Sequence, residues 1–193
     1  MVTQAPLIQE ERPAQKSLLR DLVEIILLAL AIYIIIIFLV QTVHVMGKSM
    51  VPTLQDQDYL IASKISYHLH EPQRGDIVVF KPTTDATHDY IKRIIAVPGD
   101  RLRISHAQIF INGRLLKEPY LNGKWVWDDT WSDGQQVVVP PDSYFVMGDN
   151  RNFSSDSRAF GYQPKERFLG KAWLRVWPLN AFKVFSNNVS YAS

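Results

Sequence analysis

The chain has no cysteine, which excludes disulfides, thiol nucleophiles and cysteine-bound zinc together; any folded part must be held by its core. It has no strong charge of either sign. With 21 Lys and Arg against 19 Asp and Glu the net charge is +2, and no basic stripe carries interleaved aromatics, so nucleic acid is not an expected partner. His-Glu-x-x-His, a Gly-rich phosphate loop and a Gly-x-Ser-x-Gly elbow are all missing. The five His are scattered without ligand spacing, so neither metal nor cofactor is implied. Internal repeats and low-complexity tracts are absent too.

What stands out instead is one long apolar run, "LVEIILLALAIYIIIIFLV", Leu22 to Val40, with Glu24 its single charge. At 1.5 Å per residue it spans roughly 28 Å, close to the hydrocarbon thickness of a bilayer. A cleavable leader would have a shorter apolar part and a small-x-small site, whereas "QTVHVMG" follows here. A signal anchor is therefore expected over 22–41. Arg12, Lys16 and Arg20 precede it and only Lys48 follows closely, so the N-terminus is expected in the cytoplasm. Residues 1–21, with mixed charge and two prolines, read as a cytoplasmic tail. Glu24 is tolerable only near the headgroups.

From residue 42 to 193 the texture is β. "DYLIAS", "GDIVVF", "YIKRIIAV", "RLRISHAQIFINGRLL", "QQVVVP" and "SYFVMGD" are short runs rich in Val, Ile, Tyr and Phe, separated by turn formers. Asn112-Gly113 predicts a type I′ hairpin turn. "GKAWLRVWPLNAFKVF" reads as a last strand that docks Trp173, Leu174, Val176 and Trp177 and stops at Pro178. The expected fold is mainly β: one transmembrane helix followed by an all-β exoplasmic domain.

Three stretches carry possible chemistry. "VHVMGKSMVPTL" puts Ser49 a few residues past the membrane run, in a Gly-containing loop beside an ordinary, solvated Lys48. "YIKRIIAVPGD" puts Lys92 among Ile91, Ile94 and Ile95, while Arg93 faces the other way. Burial lowers a lysine pKa, and a neutral amine can take a proton from a serine hydroxyl. A snorkelling lysine would look the same, and this stretch alone leaves both readings open. "MGDNRNFSSDSRAFG" packs Asp149, Arg151, Asp156 and Arg158 into one loop, either a solvated turn or an interlocked polar wall.

Taken together these stretches resemble the type I signal peptidases, membrane-anchored Ser/Lys proteases of peptidase family S26 that remove signal peptides from exported proteins. "SMVPTL", "RGDIVVF", "YIKRIIAVPGD" and "GDNRNFSSDSR" are similar to four of the family's boxes, in family order, over most of the chain after Gln41. The resemblance implies that Ser49 is the nucleophile, Lys92 its general base and Ser154 the hydroxyl that orients the lysine. It implies that Arg93, Asp149, Arg151, Asp156 and Arg158 form supporting pairs, with Asp156 and Arg158 nearest the site. Val43, Val45, Met50, Leu54 and Ile91 would line shallow subsites for small residues at −1 and −3 of a preprotein signal peptide, the implied partner together with membrane lipid.

The resemblance further implies a single-pass protein of a bacterial-type plasma or thylakoid membrane, and a family-variable insertion at about 112–139. Some members carry a Ser hydroxyl as oxyanion donor where this chain has Gly47; a backbone amide or water is expected to serve beside the Ser49 N–H. Arg74-Gly75-Asp76 falls inside the second box, at a turn into a strand, and is not read as an adhesion motif. The aromatic stretch Trp125 to Trp131 is either a hairpin at the membrane interface or packing within the insertion. The alternatives are a Ser/Lys autoprotease and a non-catalytic, membrane-tethered binding module.

Overall fold

The structure is a computed structural model and describes residues 18–85, 87–121, 125–126, 134–187 and 189–191. Two units separate, 1–38 and 39–193. The first carries α1 (Leu18–Leu39), which is long and apolar enough to cross a membrane. Arg20 Nε meets Glu24 Oε1 at 2.8 Å, one helical turn away, so the one carboxylate of the apolar run has a partner on its own helix.

The second unit is β-rich, with strands β1 (Val40–His44), β2 (Tyr59–Ser63), β3 (Ile77–Phe80), β4 (Tyr90–Ala96), β5 (Arg101–Ser105), β6 (Gln108–Ile111) and β7 (Arg114–Lys117). They are followed by β8 (Gln136–Val138), β9 (Ser143–Met147), β10 (Gln163–Pro164), β11 (Phe168–Trp177), β12 (Lys183–Val184) and β13 (Ser190–Tyr191). Two single-turn helices interrupt them, α2 (Ser66–Leu69) and α3 (Ser157–Phe160).

One sheet runs β1-β2-β11-β3-β4-β9-β10, with β12 beside β11; a smaller one runs β13-β7-β6-β5-β8. Every residue of β3 is buried, as expected of an apolar run with strands on both sides. The β6–β7 turn is Asn112-Gly113, and both residues have positive φ, 53° and 82°. A core of Ile95, Leu102, Ile104, Ile109, Ile111, Phe145 and Met147 joins the two sheets. Val45, Met50, Leu54, Leu60, Ile77 and Ala172 form a second cluster under the Ser49 loop.

Two expectations need correction. The helix covers 18–39, so it begins inside the expected tail, and Val40 and Gln41 belong to β1. Val40 is apolar enough to extend the run, but its backbone is taken by Ser63 of β2. β11 is not last and does not dock its tryptophans: it lies between β2 and β3, two short strands follow it, and Trp173 and Trp177 are exposed while Gly170 and Ala172 are buried. It does stop at Pro178. Within 112–139, β7 and β8 belong to the smaller sheet.

Candidate active site

Residues 45–58 form a closed loop. Val45 N–H donates to the Asp58 carbonyl at 2.8 Å and Gln57 N–H to the Val45 carbonyl at 2.9 Å, pinching its neck. The buried Asp58 carboxylate accepts from Gln55 N–H and from Arg175 of β11, tying the loop to the centre of the sheet. Gly47 has φ +94°, a conformation that L side chains rarely adopt, and its N–H goes to Asp56 Oδ1 at 2.7 Å. That amide is therefore occupied by the Asp56 carboxylate.

Lys92 reaches this loop from β4. Its Nζ stands 2.8 Å from Ser49 Oγ and 3.1 Å from the Ile91 carbonyl, and only 4% of the residue is exposed. Burial brings its pKa down to about 8, against a smaller upward pull from Asp156 and Asp149. Strand alternation puts Tyr90 and Ile94 on the lysine's face, and Ile91 and Ile95 on that of Arg93. The Tyr90 ring centroid is 5.5 Å from Nζ.

The loop after β9 supplies the opposite wall. Arg93 grips Asp149 with two bonds, Nε to Oδ1 at 2.8 Å and Nη2 to Oδ2 at 2.6 Å, and the Tyr120 ring covers its guanidinium at 3.9 Å. Arg158 holds Asp156 in the same way, at 2.8 and 2.9 Å; Asp156 also accepts from Gly148 N–H and caps α3. Gly148 is where the wall meets the Ser49 loop. A Cβ there would overlap Ser154 Oγ, Ser154 Cβ and the Ser49 carbonyl.

A cavity of about 310 Å³ opens at the dyad, lined by Val43, Val45, Met46, Ser49, Ile91 and Lys92 among others. It lies between two strand edges with free backbone. β1 ends its sheet, and β9 pairs with β4 only from Arg93 onward, so Tyr90 to Lys92 have β3 on one side and, among the described residues, no strand on the other.

The chain matches the family described as "Signal peptidase, peptidase S26" over residues 19–177. It is 41% identical over 180 residues to a probable signal peptidase I-2 from Synechocystis, covering 89% of this chain and 78% of that one. The chain belongs to peptidase family S26. Signal peptidase IB from Staphylococcus aureus is 33% identical over 182 residues, covering 88% of this chain and 94% of that one. A solved signal peptidase I from Enterococcus faecalis is 33% identical, covers 53% of this chain and 97% of its own, and superposes with a TM-score of 0.46. Family S26 signal peptidases are serine endopeptidases, and so is this chain.

In this S26 peptidase the residues singled out from sequence fall into three groups. Ser49 and Lys92 are in contact, and Val43, Val45 and Ile91 line the cavity beside them. Met50 and Leu54 do not line it: both are fully buried in the cluster on which Val43 and Ile91 rest, because the turn after Ser49 folds them inward. Among the described residues Ser154 Oγ has no hydrogen-bond partner, and the acceptors on Lys92 Nζ are Ser49 Oγ and the Ile91 carbonyl.

The polar loop is interlocked within itself through Arg158 and Asp156, and two further pairs tie it to other elements. Asp149 pairs with Arg93 of β4, and Arg151 pairs with Glu118, just after β7. Glu118, Tyr120 and Asn150 escaped the sequence reading, since partners this distant leave no local pattern. Trp125 sits under the guanidinium groups of Arg151 and Arg158, at 5.2 and 5.5 Å, and Val126 N–H donates to Asn152. Residues 127–131 of that aromatic stretch lie outside the described residues.

Proposed function

We propose that this chain cleaves N-terminal signal peptides from exported preproteins after small residues at −1 and −3, with Ser49 as nucleophile and Lys92 as general base. One observation carries the reading: a lysine buried almost completely, with a lowered pKa, stands 2.8 Å from a loop serine at the mouth of a small apolar cavity.

Neutral Lys92 takes the Ser49 proton as Oγ attacks the scissile carbonyl, whose electron pair moves onto oxygen. The ammonium returns the proton to the leaving amine, giving an acyl-enzyme. Water then attacks the ester, losing its proton to the same lysine, and Ser49 is released with its proton restored. The Ser49 N–H is one oxyanion donor. Ser154, its buried hydroxyl unpartnered, is the group available to orient the lysine as the proton moves.

The free edges of Val43–His44 and Tyr90–Lys92 suit an extended peptide pairing through its backbone, with alternate side chains turned into the cavity. The small lining by Val43, Val45 and Ile91 favours Ala-sized residues. α1 anchors the domain in a bacterial-type plasma or thylakoid membrane, with the N-terminus cytoplasmic, as the excess of Arg and Lys before the helix supports. Only ten residues of chain lead from Leu39 to the nucleophile, a tether short enough for a substrate that is itself a membrane-inserted leader. Sharing one membrane raises the effective concentration of enzyme and substrate.

The test is cleavage of a preprotein with an Ala-x-Ala site, wild type beside Ser49→Ala, with the new N-terminus sequenced. Cleavage after the −1 Ala by wild type alone upholds the reading; cleavage by Ser49→Ala sinks it.

A further inference from the structure

Asn150 follows directly on the Asp149 that clamps Arg93, yet its own donors go to the nucleophile loop. Side-chain Nδ2 donates to the Lys48 carbonyl at 3.0 Å, and the backbone N–H donates to the Ser49 carbonyl at 2.9 Å. One residue thus holds the carbonyls of both peptide units that meet at the Ser49 Cα. The orientation of the amide follows from its partner, since a carbonyl only accepts.

A trans peptide is planar, with its C=O and N–H pointing in opposite directions. Lys48–Ser49 is trans; among the described residues the cis bonds are Val51–Pro52 and Trp177–Pro178. Drawing the Lys48 carbonyl toward Asn150 therefore turns the Ser49 N–H away from Asn150, and among the described residues that N–H has no acceptor. Val51 N–H closes a turn onto the same carbonyl at 3.2 Å, so two donors hold it, one from inside the loop and one from across the site.

The geometry points to Asn150 as a positioning residue that aims the Ser49 backbone N–H at the developing oxyanion by holding the Lys48 carbonyl. This rests on Ser49 being the nucleophile. The substrate oxygen becomes fully charged only in the tetrahedral intermediate, so a misaimed donor weakens the transition state and leaves ground-state binding alone. The polar loop therefore acts twice, setting both the charges around Lys92 and the geometry of the oxyanion site.

Two variants separate the bonds. Asn150→Ala keeps the backbone bond to Ser49 and loses only the Nδ2 donor; Asn150→Asp puts an acceptor against the Lys48 carbonyl. On a preprotein with an Ala-x-Ala site, kcat is expected to fall roughly tenfold in Asn150→Ala, the equivalent of one net hydrogen bond, and further in Asn150→Asp. KM and the lysine limb of the pH profile should stay put.

A peptide aldehyde ending in Ala and its matched alcohol supply the second readout. With the aldehyde, Ser49 Oγ bonds to the carbonyl carbon, its proton passes to Lys92 and the carbonyl pair becomes an oxyanion; the alcohol forms no adduct. Aldehyde inhibition should weaken by about the factor lost in kcat, with alcohol binding unchanged. Unaltered kcat in both variants, or equal weakening of aldehyde and alcohol, overturns the proposal. Wild type cutting while Ser49→Ala does not keeps the nucleophile assignment, whatever Asn150 does; a cutting Ser49→Ala removes both.

Discussion

Lys92 and Arg93 stand side by side on β4, exposed by only 4% and 5%, and the fold treats them in opposite ways. Arg93 lies against a carboxylate, a carbonyl and an aromatic face, so its lost hydration is replaced and it stays charged. Lys92 is given a hydroxyl and one carbonyl. With no carboxylate in contact, desolvation prevails and the proton is held loosely. One residue step along a strand divides a paired cation from an amine that gives up its proton near pH 8.

Activity should follow that loose proton. kcat/KM is expected to rise about tenfold per pH unit up to roughly pH 8 and then level, as Lys92 becomes neutral. A profile flat from pH 6 to 9 would disconnect the lysine from the rate.

Lys92→Arg should lose activity by roughly 10²- to 10⁴-fold, because a guanidinium stays protonated at any working pH. Turnover within tenfold of wild type, measured at pH 9, would show that no base is needed at this position.

The same burial costs stability, and the sign is fixed by the direction of the shift. Folded Lys92 titrates near 8 and the unfolded residue near 10.4, so between these values the unfolded chain binds more protons and stability rises with pH. Below pH 8 the full penalty, up to about 3 kcal/mol, is present. Lys92→Met should therefore melt higher than wild type at pH 7, with the gap shrinking as pH rises from about 8 to about 10.4; a gap independent of pH contradicts the assignment.

Gly148→Ala puts a methyl group into the Ser154 side chain and the Ser49 carbonyl at once. Activity should fall by at least about 10²-fold, since a misplacement near 1 Å is enough for that. Far-UV circular dichroism should stay the same. Near-normal kcat would mean that the loop yields more easily than its ion pairs suggest.

Glu118→Ala strands the Arg151 guanidinium, which is buried behind the active-site loop. A loss of about 3–5 kcal/mol of stability is expected, as for breaking a buried pair from one side. Arg151→Met in the same chain should restore much of it. If the double variant melts with the single one, the stranded charge is not the cause.

How much of this was legible in the sequence depended on how local each signal was. The apolar run and the β texture are neighbour-to-neighbour patterns, and they located the helix and most strands within a few residues. β1 was hidden because Val40 suits a membrane helix as well as a strand, and only the pairing with Ser63 decides. Ser49 and Lys92 were found as types in context, but their contact spans 43 positions and no periodicity encodes it. The charged residues of the polar loop and Arg93 were recognised, whereas Glu118, the partner of Arg151, was not, because it lies just after β7 and far off in sequence. Met50 and Leu54 were assigned to the pocket from motif position, while the packing of the turn behind Ser49 sends them to the core.

The place of β11 between β2 and β3 sets a condition on assembly. The hairpin that flanks the nucleophile and the strand that carries the lysine are not joined to each other; a strand from residues 168–177 must be threaded between them first. A chain emerging from its N-terminus thus exposes Ser49 and then Lys92 well before the sheet that brings them together can close. The setting in which Ser49 and Lys92 meet cannot be completed until residues 168–177 have been made and inserted between the two hairpins.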